Sequence, residues 1–66
     1  MLTESPQVSI IMPAFNALPW LGQAVASVRL QTGVSWELLI IDDGSTDGTR
    51  ESAELYAAED SRIRLL

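Results

Sequence analysis

The chain has 66 residues, a net charge of −5, and neither Cys nor His. It is therefore bounded to one domain at most, without disulfide staples or a thiolate or imidazole metal site. The negative charge repels phosphate backbones and anionic lipid surfaces, so nucleic acid is excluded as an expected partner, while the 47% hydrophobic content is that of a globular chain.

In chain order, Met1–Pro6 is polar and lacks the basic and apolar segments of a signal peptide, and no apolar run approaches the roughly 20 residues of a membrane span. A cytoplasmic location is expected. Val8-Ser-Ile-Ile-Met12 is an apolar, β-branched run that predicts a strand buried on both faces and stopped by Pro13, which has no N–H to give a ladder. Leu18, Leu21, Val25 and Val28 then recur at helical spacing, with Ala24 on the same face and Pro19 in the first turn. Gln31-Thr-Gly33 is expected to end that helix, Gly33 acting as a left-handed cap. Trp36–Ile41 predicts a second buried strand, and Asp42–Gly48 is dense in turn formers. A second helix is expected over Thr49–Glu59, capped by Asp47 or Thr46, with Ala53, Tyr56 and Ala57 inward and Leu55 to one side. Arg62–Leu66 opens a third strand. Trp20 and Trp36 are both read as packing residues.

The order β-α-β-α-β, with about 28 residues from one strand start to the next, fits parallel strands joined by helical crossovers, a Rossmann-like α/β unit. Neighbouring parallel strands place their carboxyl ends side by side. Pro13-Ala-Phe-Asn16 should thus lie next to Asp42-Asp-Gly-Ser45, where open α/β sheets bind ligands. Phe15, the sole Phe, offers a flat face for stacking on a base. Asp43 offers a carboxylate, which only accepts hydrogen bonds and can therefore read ring N–H groups. Gly44 permits close backbone approach. The plainer readings are that Phe15 fills the core and that Asp42 and Asp43 are ordinary loop acids. No glycine-rich phosphate loop is present.

The segments Val8–Asn16 and Glu37-Leu-Leu-Ile-Ile-Asp-Asp-Gly-Ser-Thr-Asp-Gly-Thr49, in that order and separated by a helix ending at Gln31-Thr32, resemble the start of glycosyltransferase family 2. The resemblance implies that residues 1–66 are the truncated N-terminal, nucleotide-binding part of a GT-A domain. It implies a parent enzyme that transfers a sugar, with inversion, from a nucleoside diphosphate sugar to a sugar or lipid-linked acceptor. A UDP-sugar is the first expectation, because one carboxylate reading one N–H suits uracil. Carried over residue by residue, Phe15 matches the aromatic that stacks on the base, as Phe where the family usually has Tyr. Pro13 matches a position whose backbone borders the base, Asp43 matches the acid contacting the base, and Ala14, Asn16 and Gly44 are expected with them among the nucleotide-sugar-binding residues, while Asp42 is expected to brace the loop. A divalent cation, Mg or Mn, is implied for the parent. Its ligands and the catalytic base are expected beyond residue 66, so no catalytic or metal residue is assigned within the chain. The parent's activity suggests cell-envelope polysaccharide synthesis, and association with the inner membrane face is left open.

A calcium-binding alternative reads Asp43, Asp47, Gly48 and Glu54 as positions one, five, six and twelve of an EF-hand loop. Ser45 at position three, Arg50 at position eight and the strand-like run before the loop all oppose it.

Overall fold

The computed structural model describes residues 6–66. Its elements are β1 (Val8–Ala14), α1 (Leu18–Arg29), β2 (Trp36–Asp42), α2 (Thr49–Glu59) and β3 (Ile63–Leu65). The strands form one parallel sheet in the order β1-β2-β3, with Val8 opposite Trp36, Ala14 opposite Asp42, and Leu38 opposite Ile63. The expected Rossmann-like α/β alternation is therefore the observed one.

The pleat sorts the side chains. Ala14, Trp36, Leu38, Ile40 and Ile63 point to one face and join Leu21, Val25 and Val28 of α1 and Ala53 of α2 in a single buried core. Leu38 and Ile40 on the central strand have no exposed surface. Both helices cover this one face. Ile11 and Ile41 on the other face stay exposed, so burial of the strands on both faces is not realised by the described residues. Consecutive strand order with two crossovers of the same hand puts both helices on the same side, which accounts for the bare face.

Four local expectations need correction. Pro13 does not end β1, which runs on to Ala14. The Val8 N–H donates to Ser35 and the Ala14 carbonyl accepts from Asp43, so even-numbered residues of β1 turn their backbone groups toward β2. Pro13 faces the open edge, where a missing N–H removes no ladder bond. Secondly, α1 stops at Arg29 and its C-cap is Leu30 in a right-handed conformation, while Gly33, with φ of 85°, lies in the following loop. Thirdly, Leu18 is half exposed, leaving Leu21, Val25 and Val28 as the buried stripe. Finally, Trp36 is buried as expected, but Trp20 is 64% exposed. Trp20 precedes the inward-facing Leu21 by one residue, a step of about 100° around the helix that turns it to solvent.

The far end of the sheet is fixed by charge and ring stacking. Asp60 accepts from the Arg62 backbone N–H and from Nε and Nη2 of its guanidinium, which lies 3.9 Å from the centroid of Trp36. The Arg62 contacts are the main cause holding the Asp60 carboxyl below its ordinary range, with Arg29 adding a smaller attraction. Arg29, at the end of α1, lies 3.7 Å from Glu59 and 3.8 Å from Asp60, tying the two helix ends together.

Replacing Ile40 by Ala removes a fully buried side chain from the central strand. Destabilisation of about 2–5 kcal/mol is expected in denaturant unfolding, the range for large-to-small core substitutions. A loss no larger than that of the exposed Ile11→Ala would contradict the assigned core.

Candidate functional site

At the carboxyl end of the sheet the Asp43 N–H donates to the Ala14 carbonyl across 3.0 Å, extending the β1–β2 ladder by one bond. Phe15 and Asp43 each lie one residue beyond the paired Ala14 and Asp42, on adjacent strand tips. Both are exposed, and Phe15, at 62%, is not core filler in this chain. Pro13 is exposed on the edge strand, whereas Ala14 is buried.

Beyond the ladder the two loops hold each other through side chains. The backbone N–H groups of Asn16, Ala17 and Leu18 donate to Ser45 Oγ at 2.9 Å, Thr49 Oγ1 at 2.8 Å and Asp47 Oδ2 at 3.2 Å. In return the Thr46 N–H donates to Asn16 Oδ1 at 2.8 Å. The local sequence explains why. Ala17, at the N-cap of α1, has no side-chain acceptor, and Pro19 offers no N–H. The open amides at the start of α1 must then find partners elsewhere, and the β2–α2 loop supplies them.

Thr49 is the hinge of this arrangement and the buried polar residue of the core, with 0% exposure. Its hydroxyl accepts from Ala17 and donates to Asp47 Oδ1, which also accepts the Thr49 N–H at 3.0 Å. The sequence offers Asp47 or Thr46 as the N-cap of α2. The N-cap position is instead Gly48, at φ of 96°, and Asp47 serves both helix starts from one residue further out. Gly44 also has a positive φ, 81°. Its place is explained by that conformation, since no atom lies within 4 Å of where a Cβ would stand.

Asp42 braces the loop as expected, accepting the Ser45 N–H on Oδ2 at 3.3 Å, while its Oδ1 is buried without a partner among the described residues. Asn16 has φ of 48°, the positive-φ non-glycine of the described chain. The linking roles of Asn16, Ser45, Thr46 and Thr49 were not legible beforehand. The one available signal was the density of short oxygen-bearing side chains after β2.

The shelf formed by the strand tips is open. Two clefts of about 290 and 520 Å³ lie at the opposite end of the sheet, lined by residues such as Val8, Val28 and Trp36, and Ser35, Arg62 and Arg64. Neither adjoins Phe15 or Asp43. Phe15 and Asp43 are thus an exposed aromatic and an exposed carboxylate on adjacent strand tips. Among the described residues no group of three or more His, Cys, Asp or Glu is placed to hold a metal ion. Asp47 turns both carboxylate oxygens to loop amides and the Thr49 hydroxyl, and Asp42 turns one of its two to Ser45. The β2–α2 loop is entered from a strand, not a helix, which removes the structural basis of the calcium-loop reading.

The sequence profile of Glycosyl transferase family 2 matches residues 9–66, and the chain belongs to that family. It is 41% identical over 66 residues to the putative teichuronic acid biosynthesis glycosyltransferase TuaG of Bacillus subtilis, covering 100% of this chain and 26% of that protein. It is 48% identical over 59 residues to WfgD of Escherichia coli, a UDP-Glc:alpha-D-GlcNAc-diphosphoundecaprenol beta-1,3-glucosyltransferase, covering 89% of this chain and 22% of that one. The chain thus spans about a quarter of the length of these relatives. In structure it is similar to the mannosyltransferase PcManGT of Pyrobaculum calidifontis, solved with GDP-Man and Mn2+. The TM-score is 0.76 and the identity 26%, over 97% of this chain and 19% of that one. The three-stranded unit is accordingly the N-terminal part of a GT-A-like fold. No described helix is long and apolar enough to cross a membrane.

Two outcomes follow from the loop bonding. Thr49→Val keeps the shape but strips the acceptor from the Ala17 N–H, and should cost about 1–3 kcal/mol in urea unfolding, the range for a buried donor left unsatisfied. The Asp47 carboxyl is held below the ordinary aspartate range, first by the Thr49 hydroxyl and also by the Thr49 and Leu18 N–H groups, against opposing desolvation. A depressed folded-state pKa gives stability that is full above the unfolded value, near 3.9, and is lost as pH falls through the folded one. Asp47→Asn should therefore lower stability at neutral pH and flatten its loss below about pH 4. An unchanged acid limb would show that Asp47 does not carry this linkage.

Proposed function

We propose that this chain is the nucleotide-binding start of an inverting glycosyltransferase whose donor is a nucleoside diphosphate sugar. The observation that carries the reading is the backbone bond from Asp43 to Ala14, which fixes Phe15 and Asp43 on neighbouring strand tips in a chain of this family. In this reading Phe15 stacks on the base and the Asp43 carboxylate accepts a ring N–H at its edge. Pro13, Ala14, Asn16 and Gly44 shape the two loops that carry them.

UDP-sugar is the favoured donor. A single carboxylate matches the one imide N–H of uracil, and the relative WfgD is named for UDP-Glc. PcManGT, with GDP-Man, supports the wider class of nucleotide sugars and makes guanosine the competing base. The acceptor is read as a sugar carried on a lipid, as in the name of WfgD, and an envelope polysaccharide as the product, as in that of TuaG. Such an acceptor would place the parent enzyme at the cytoplasmic face of the membrane.

The transfer forms a bond between an acceptor hydroxyl oxygen and the anomeric carbon and breaks the bond from that carbon to the diphosphate, which leaves with the nucleoside. A base takes the hydroxyl proton, and attack from the opposite face inverts the centre. A divalent cation, as in the PcManGT complex, would neutralise the leaving diphosphate. Its ligands and the base belong to the part of the parent outside this chain. The bare sheet face carrying Ile11 and Ile41 gives that part an apolar surface to pack on.

Calorimetric titration of the full-length protein with UDP, GDP, CDP and TDP tests this reading. Phe15→Ala should weaken the preferred nucleotide by about 5- to 150-fold, the equivalent of roughly 1–3 kcal/mol of base stacking. Asp43→Asn should weaken it and relax the choice of base. Wild-type protein that binds none of the four, or variants that bind like wild type, would remove the proposal.

A further inference from the structure

Asn16 follows the stacking residue directly, yet its bonding turns it away from a ligand-binding role. Its side-chain oxygen accepts the Thr46 N–H at 2.8 Å and its own N–H donates to Ser45 Oγ at 2.9 Å. Both partners belong to the loop that carries Asp43. Its φ of 48° is a left-handed conformation that Asn tolerates better than most side chains. That conformation reverses the chain immediately after Phe15 and brings two consecutive polar groups of one loop onto two consecutive residues of the other.

We infer that Asn16 is a positioning residue for base selection: it clamps the Phe15 loop to the Asp43 loop and so sets the spacing between ring and carboxylate. The inference rests on the nucleotide reading proposed above. Choosing among bases needs a stacking plane and an edge acceptor held at one separation, within about 0.5 Å of the productive geometry. The Asp43–Ala14 bond fixes the strand tips, but Phe15 lies beyond it. The two Asn16 bonds are the cross-loop links next to Phe15, and the Ala17 and Leu18 bonds continue them into α1. Without the clamp the ring can still stack, because every base has a flat face. The register between the ring and the Asp43 carboxylate is lost, and with it the preference for one edge.

The test measures dissociation constants for UDP and GDP, and donor KM and kcat, on the full-length protein and its Asn16 variants. Asn16→Ala should raise the dissociation constant of the preferred nucleotide about 5- to 10-fold, as for loss of one hydrogen bond. It should also narrow the UDP-to-GDP preference, raise donor KM and leave kcat at saturation unchanged. Asn16→Gly keeps the left-handed backbone without the side-chain acceptor, and should behave in the same way. Asn16→Asp retains an acceptor oxygen and a tolerance for positive φ, and should keep the wild-type preference. Ser45→Ala, which breaks the other bond of the clamp, should also narrow it.

If Asn16→Ala and Asn16→Gly lower only the melting temperature and leave both constants and their ratio intact, the positioning role is overturned. Should Asn16→Asp lose binding and base preference to the same degree as Asn16→Ala and Asn16→Gly, the amide N–H and not the acceptor oxygen is the group that matters, and the inference is equally overturned. If Asn16→Ala does not fold, the Gly and Asp variants decide. Phe15→Ala separates the two levels. Loss of binding in that variant alongside unaffected Asn16 variants defeats this inference and spares the nucleotide reading, whereas no binding by the wild type defeats both.

Discussion

The arrangement depends on how the first helix gets its N-terminal hydrogen bonds. The start of α1 carries no side chain able to cap it, and unpaired amides near a core are costly. Ser45, Thr49 and Asp47 meet that need from another part of the chain, through the amides of Asn16, Ala17 and Leu18. Because Thr49 is fully buried and also begins α2, both helix starts and both strand-tip loops are joined into one unit. Phe15 and Asp43 sit on this unit and inherit its rigidity.

The same bonds occupy an amide at the start of each helix. Helix N-termini often receive phosphates on their free amides. Here the Leu18 N–H and the Thr49 N–H are both taken by the Asp47 carboxylate, which also brings negative charge to that end. These two amides are thus not open to a phosphate. That fits the absence of a glycine-rich phosphate loop from the sequence.

At the other end of the sheet the chain is held by different means. Asp60 organises Arg62 over Trp36, and Arg29 bridges the helix ends. These contacts are largely at the surface and individually weak, but they close the turn into β3 and keep water off the indole. The sheet is therefore fastened by side-chain hydrogen bonds around the buried Thr49 at the carboxyl ends of its strands and by ion pairs and a ring face at the amino ends. The former lie beside the loops that carry Phe15 and Asp43.

The sequence determined the element order, the Leu21, Val25 and Val28 stripe of α1, the span of α2 and the meeting of the two motif loops. Each of these follows from periodicity or from the geometry of parallel strands, both local or topological properties. It did not reveal that Pro13 could stay within a strand, because that depends on which edge of the sheet its missing N–H faces. Nor did it show that Trp20 would be exposed, since a large aromatic next to the buried stripe reads as packing until the phase of the helix on the sheet is known. The identities of the capping partners were likewise hidden. A carboxylate or hydroxyl in a turn is read first as serving its own helix, and only the tertiary structure shows Ser45, Asp47 and Thr49 reaching residues about 30 positions away. Such bonds depend on the distance between two loops, which exists only after the strands have paired.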